Sequence, residues 1–347
     1  MQIMSLSLVL LLSLISIASC QKPTTPYTNT IDDSKMLLVI AVPSIHNSYY
    51  ADVYDAIIAF DIQYAKSVMG KDNIVVLGDA PSINYLKQHL PKDILLEQTL
   101  EDIWLRDCST VMPYQPTQFR YAAAAQGSQV DADFVQAKFN TFAHRYGLQF
   151  STVPYILDGG NFVDNYNGKA IVSDRFLTDN NLTYTAAKTV LKNSLGLDQI
   201  AIIPNDDPNG LAHADGQVMF IDNNTIALTA YNDPHFEGDI RAELLQSFPG
   251  IKLITIPTKV DTTIWDPNFS SSCGIHINST VTQQYLYLPT FGTDTDQQAL
   301  QLVQDNTTKI VVPVDASAVC QMGGSLRCLS WQVVGDNAKK IIEAARK

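Results

Sequence analysis

Five short stretches spread along the chain hold the residues best suited to chemistry. They are Glu101-Asp-Ile-Trp-Leu-Arg-Asp107, Asp158-Gly-Gly-Asn161, His213-Ala-Asp215-Gly, Ser272-Cys273-Gly and Gly323-Gly-Ser-Leu-Arg-Cys328. A guanidinium group is planar, permanently charged and a poor electrophile. Its N–H forks call for carboxylates that pair in bidentate fashion. Its central carbon yields only to a strong nucleophile such as a thiolate, and the leaving ammonia needs a proton from an acid that later activates water. Asp107, Asp158 and Asp215 provide the carboxylates, Cys328 the sulfur and His213 the acid/base. The pair Gly323-Gly324 allows a sharp turn that presents the thiol. Taken alone, His-x-Asp serves a metal pair equally well, and Asp-Gly is also a plain turn signal.

The elements that must position these residues follow one grammar. From Lys35 onward, β-branched runs such as Met36–Val42 and Ile74–Leu77 alternate with helical patterns such as Tyr49–Met69 and Ala132–Tyr146. Such alternation means an α/β fold. Hairpin-like segments recur: Asn161–Val172, Val218–Leu228 and Gly274–Leu288, each two strands about a polar turn. Just before each lies a chemically loaded residue. Asp107, Asp158, Asp215, Cys273 and Cys328 are spaced by 51, 57, 58 and 55 positions. Five similar steps predict five copies of one unit whose equivalent loops meet at one end. No Pro/Ser/Gly linker divides the region, which reads as a single domain over 35–347.

Trp104-x-Arg106-Asp107, Asp158-Gly-Gly-Asn161, His213-x-Asp215 and Gly-Gly-x-x-x-Cys328 stand in the order shown by the agmatine deiminase and Porphyromonas-type peptidylarginine deiminase family. The chain resembles that family, part of the guanidino-modifying pentein superfamily, from about Lys35 to its C-terminus. The resemblance implies a five-bladed α/β propeller of ββαβ repeats. It implies Cys328 as nucleophile, His213 as acid/base and Asp158 as its partner. Asp107 and Asp215 would grip the guanidinium, with Asn161, Trp104 and Arg106 also at the substrate. The implied reaction passes through a covalent thiouronium to a ureido product and ammonia, with no metal and no cofactor. The chain departs from the family in several places. Asp158 stands where glutamate is usual, Cys108-Ser109-Thr110 follows the Arg-Asp pair, and Arg327 stands where histidine commonly precedes the nucleophile. A site-lining Asn of the fourth blade aligns with Cys273, which admits a Cys273–Cys328 disulfide that would block the site. Arg327 is expected to lower the Cys328 pKa.

Composition narrows the partners. The chain has 347 residues, 46% hydrophobic and 17% charged, enough to bury a large core. Its 23 basic and 35 acidic residues give a net charge of −12. That excludes nucleic acid as a partner and disfavours anionic lipid. It suits a cationic guanidino small molecule or an arginine-containing peptide.

Residues 1–20 carry an apolar run of signal-peptide length, followed by a polar spacer over 21–34. No later stretch is long enough to span a membrane. Export follows, by lipid anchoring through Cys20 or by ordinary secretion, and both readings stay open. Five Asn-x-Ser/Thr sites, at Asn181, Asn223, Asn268, Asn278 and Asn306, would suit a glycosylated secreted protein. His46, His89, His144 and His235 lack any such context, and His276 is left unassigned. Asn205-x-Asp207-x-Asn209-Gly210 imitates the start of a calcium loop but lacks its closing glutamate. The rival functions are amidino transfer or methylarginine hydrolysis on the same scaffold, a metal-dependent hydrolase built on His213 and the aspartates, and a secreted non-catalytic binding protein.

Overall fold

The computed structural model describes residues 28–31 and 34–347, apart from 209, 260, 262, 264, 267 and 268. The expected export signal over 1–20 lies outside the described residues. The expected spacer is not free along its whole length. The side chain of Asn29 donates to Ile74 O at 2.8 Å and accepts from Ile74 N at 2.9 Å, while Thr30 and Asn73 exchange a similar pair of bonds. Buried amides satisfied this way dock Asn29 and Thr30 against the first sheet.

The strands form five separate sheets built to one plan. In the third, Val163–Asp164 pairs antiparallel with Lys169–Ser173, which pairs parallel with Gln199–Ile203. The helix Tyr184–Leu195 makes the crossover. The fourth repeats the plan with Val218–Asp222, Thr225–Thr229 and Lys252–Ile256, crossing through the helix Pro234–Ser247. The fifth uses Thr280–Val281, Tyr285–Thr290 and Ile310–Asp315, crossing through Asp296–Gln304.

The first sheet is closed by the far end of the chain. Trp331–Val333 pairs antiparallel with Leu37–Ala41, which runs parallel to Asn73–Gly78 across the helix Tyr54–Val68. The second is reduced. Thr117–Arg120 and Ser151–Ile156 run parallel across Gln129–Arg145, and only the single bridge Val111–Thr117 stands for the hairpin. The outcome is the α/β class expected, with four strand–strand–helix–strand units and the reduced second one.

Local chemistry explains where these elements begin. Ser128 accepts from Asp131 N, Thr183 from Ala186 N, and Asp233 from His235 N and Phe236 N, satisfying helix N–H groups that have no partner within the helix. Pro234 occupies the first helical position, where its missing N–H costs nothing. Central strands such as Leu37–Ala41 and Asn73–Gly78 are buried along their whole length, as parallel strands covered on both faces must be.

Two expectations about elements need correction. The helix expected over 49–69 begins only at Tyr54, after a short 3-10 turn at Ala51–Val53. Tyr49 and Tyr50 are held outside it by hydrogen bonds from their hydroxyls to Asp266 and Asp102. The strand expected from Gly274 starts at Thr280, because the Asn278 side chain is committed to another loop. Among the described residues, no helix is long and apolar enough to cross a membrane.

Candidate active site

Each unit presents a loop immediately before its first strand, and these loops carry the candidate residues. Asp107 sits in the single helical turn Leu105–Cys108, and Asp158 precedes the turn Gly159–Asn161. His213 and Asp215 sit at the turn Ala214–Gly216, and Cys328 in the turn Leu326–Leu329. All five are buried.

The geometry is dense. His213 Nε2 lies 3.1 Å from Asp158 Oδ2, and its Nδ1 lies 3.8 Å from Asp107 Oδ1. Asp158 also accepts from Ala122 N at 2.7 Å, and Asp107 from Gly160 N at 2.9 Å. The Sγ of Cys328 stands 3.8 Å from Asp215 Oδ2. Gly160 is what lets His213 and Asp107 come this close. A Cβ at that position would lie 2.4 Å from His213 Nδ1 and 2.7 Å from Asp107 Oδ1. Just before His213, Ala212 adopts φ of 53°, a left-handed conformation that costs a non-glycine residue energy and is tolerated where the surroundings dictate it.

A cavity of about 940 Å3 opens over Cys328, Asp107 and Trp104. The Trp104 ring packs against Gly324, where a Cβ would come within 2.5 Å of it. The rest of the wall includes Tyr49, Tyr50, Glu101, Asp102, Asp207, Asp266 and Phe269. No Lys, Arg or His stands among the described residues that line it. His213 and Asp215 stand directly against the lining residues Asp107 and Cys328, with Asp158 next to His213.

The electrostatics of the site favour protonated groups. Burial works against charging His213, but Asp107, the hydrogen bond to Asp158 and Asp215 outweigh it and hold its pKa up at about 9. Burial pushes the Asp107 carboxyl up to about 7, against the pull of His213. Burial and then the negative charges of Asp215 and Asp107 drive the Cys328 thiol well above the usual thiol range. A cation placed among these carboxylates would push all three the other way.

Several expected roles take a different form. Asn161 does not line the cavity. Its Oδ1 accepts from Ser173 N at 2.7 Å and Ala214 N at 3.3 Å, joining its own turn to that of His213. Arg106 is also off the cavity. Its guanidinium binds Gln332 Oε1, and burial together with the neighbouring Arg327 charge lowers its pKa to about 10. Arg327 does not activate the thiol directly. Its Nη1 lies 3.3 Å from Asp215 Oδ2 and its Nη2 donates to Phe162 O at 2.7 Å.

The Cys273–Cys328 disulfide that the sequence admits is not formed. Cys273 pairs with Cys320, while Cys328 and Cys108 are free. The fourth loop contributes Asn278 rather than Cys273. Asn278 Nδ2 donates to Cys328 Sγ at 3.1 Å, and its Oδ1 accepts from Ser325 N at 3.2 Å and Cys328 N at 3.3 Å. Buried and fully engaged, Asn278 is no glycan acceptor in the folded protein. Its signal was its place before the first strand of its unit, the position that Asp107, Asp158 and Asp215 hold in theirs. His276 is a structural residue, with Nε2 2.9 Å from Asp296 Oδ1. Among the described residues, no group of three or more His, Cys, Asp or Glu is arranged to hold a metal ion.

Solved structures share this mixed α/β fold. The agmatine deiminase of C. jejuni superposes with a TM-score of 0.72 at 18% identity, covering 89% of this chain and 97% of that one. The agmatine deiminase of Enterococcus faecalis gives 0.69 at 17% identity, covering 89% and 93%. DDAH from Pseudomonas aeruginosa gives 0.50 at 10% identity, covering 89% and 100%. No curated protein matches the chain. A family profile, Porphyromonas-type peptidyl-arginine deiminase, matches residues 33–333. Spanning most of the described fold and every loop of the site, that match makes the chain a member of the Porphyromonas-type peptidyl-arginine deiminase family.

Proposed function

We propose that this protein hydrolyses a guanidino substrate, agmatine or a peptidyl-arginine, to a ureido product and ammonia. The observation that carries the reading is the convergence of a free thiol, an imidazole between two carboxylates and a third carboxylate beside one cavity. Asp107 and Asp215 grip the N–H forks of the cation. As the cation settles, Cys328 gives up its proton to solvent and the thiolate attacks the guanidinium carbon. His213 protonates one amino group, the C–N bond breaks and ammonia leaves, so that an S-alkylthiouronium remains on Cys328. Water then gives a proton to His213 and adds to the same carbon. The C–S bond breaks, the added hydroxyl gives its proton to solvent, the ureido product departs and the thiolate is restored. Asp158 holds the imidazole in place throughout.

The cavity wall bears on the rest of the substrate. Its carboxylates, and the lack of a basic residue among the described residues that line it, suit a second cation or a neutral peptide better than the free carboxylate of arginine. The five like units are proposed to stand around a common axis as blades of a propeller, which is how their equivalent loops come to share one site. We further propose that the protein works outside the cytoplasm. The buried Cys273–Cys320 disulfide fits an oxidising compartment.

The test is detection of ureido product and ammonia over a panel of agmatine, free arginine and arginyl peptides, with Cys328→Ala as control. Turnover of agmatine or a peptide that disappears in the variant is expected. Full turnover by the variant, or none of the panel consumed, refutes the reading.

A further inference from the structure

We propose that Arg327 is a positioning residue that fixes the carboxylate of Asp215 beside the nucleophile and cancels its charge there. This rests on the roles assigned above to Cys328 and Asp215. Where the family pattern commonly has histidine, this chain places a guanidinium of its own next to the thiol.

Arg327 is 7% exposed and ties three units together. Its Nη1 reaches Asp215 Oδ2 at 3.3 Å, in the fourth unit's turn. Its Nη2 donates to Phe162 O at 2.7 Å, at the end of the Asp158 turn. Its backbone N donates to Asn278 O at 3.2 Å. The oxygen it holds is the one that stands 3.8 Å from Cys328 Sγ. A carboxylate so close to sulfur opposes a thiolate unless a fixed cation offsets it.

Charge counting points the same way. The groups facing the thiol and Asp215 are Asp107, Asp158 and His213 on one side and Arg327 on the other, with Arg106 and Asp164 behind Arg327. Between about pH 7 and pH 9, with Asp107 ionised and His213 charged, three carboxylates against one imidazolium and one guanidinium leave a single negative charge, which one substrate cation neutralises. Without Arg327 the excess doubles, and the thiol holds its proton more firmly. Arginine also suits the place better than lysine. Its planar fork reaches the carboxylate and the Phe162 carbonyl with separate nitrogens.

The experiment follows the pH dependence of iodoacetamide alkylation at Cys328, read on the peptide that contains it so that Cys108 is counted apart. No turnover is needed, so the result stands independently of the deimination reading. Arg327→Gln is expected to raise the alkylation midpoint by about one pH unit. It is also expected to cut kcat/KM for whichever guanidino substrate is turned over by at least about tenfold. Arg327→Lys is expected to restore most of the midpoint but not the full kcat/KM. A folded Arg327→Gln protein with the parent's midpoint overturns the proposal. If Arg327→Gln does not fold, Arg327→Lys decides: a midpoint near the parent's supports the role, and one risen by about a pH unit overturns it. A shifted midpoint in a protein that deiminates nothing would retain Arg327 as the partner of Asp215 and reject the reaction instead.

Discussion

The imidazole of His213 is held against Asp158, Nε2 to Oδ2 at 3.1 Å, in a pocket where both side chains are almost fully buried. A buried imidazole with a carboxylate on one nitrogen is fixed in orientation and easily charged. Asp107 stands 3.8 Å from its other nitrogen, so the ring has an acidic neighbour on each side. An imidazolium held this way is suited to protonate a leaving amine. The same arrangement leads to a pH effect on stability.

His213 is raised from 6.5 to about 9, so its contribution is fully present below about 6.5 and is lost as pH climbs through about 9. Asp107 is raised from 3.8 to about 7, and its contribution, present at low pH, is lost as pH climbs through about 7. The signs agree. Thermal melts of the ligand-free protein should fall steadily between pH 6 and pH 9.5, and His213→Gln combined with Asp107→Asn should flatten that slope. A melting temperature that rises over the same interval would contradict these charge states.

Gly160→Ala should disable the site with little effect on the fold. The added methyl would displace His213 or Asp107 by enough to cost on the order of 100-fold in kcat/KM. Circular dichroism and melting should stay close to the parent. Activity within a few-fold of the parent would show that the close approach is not required.

Asn278→Ala removes the donor to the sulfur and leaves the N–H groups of Ser325 and Cys328 without their acceptor. A kcat loss on the order of 100-fold is expected, the size seen when one preorganised donor is removed. Asn278→Asp should be no better, because it adds a negative charge beside the thiolate. Rescue by Asp would mean that only the acceptor oxygen matters.

The Cys273–Cys320 bridge joins the segment leading to Asn278 with the segment leading to Gly323-Gly324 and Cys328. Ser272 strengthens this joint by donating to Cys320 O from both N and Oγ. Cys273→Ser with Cys320→Ser should lower stability by about 2–4 kcal/mol in denaturant titrations. It should also lower kcat/KM, because both arms of the nucleophile loop lose their clamp. Unchanged kinetics in the double variant would confine the bridge to a stabilising role.

Much of the site was readable from residue order because its chemistry needs unusual local sequences. Asp158 and Asp215 adjoin glycines, Cys328 follows Gly323-Gly324, and Asp107, Asp158, Asp215, Cys273 and Cys328 step by about the length of one strand–helix unit. Asn278 was hidden in a stretch whose alternating apolar residues read as strand, and only its side-chain bonds reveal it. The partner of Cys273 was beyond reach, since spacing does not determine which sulfurs meet. Arg106 and Asn161 belong to the right loops but point away from the cavity, a distinction set by tertiary packing. Tyr49 and Tyr50 look helical in sequence and lie on the cavity wall because Asp266 and Asp102 bind their hydroxyls.

The central claim is that Cys328 becomes covalently bonded to the guanidinium carbon. Rapid acid quench during turnover of whichever guanidino compound the panel identifies, followed by mass spectrometry of the peptide containing Cys328, tests it directly. The peptide should carry the mass of the substrate less ammonia, and replacing His213 should make that adduct accumulate or vanish with turnover. A Cys328 peptide that stays unmodified while ureido product forms at full rate would contradict the account.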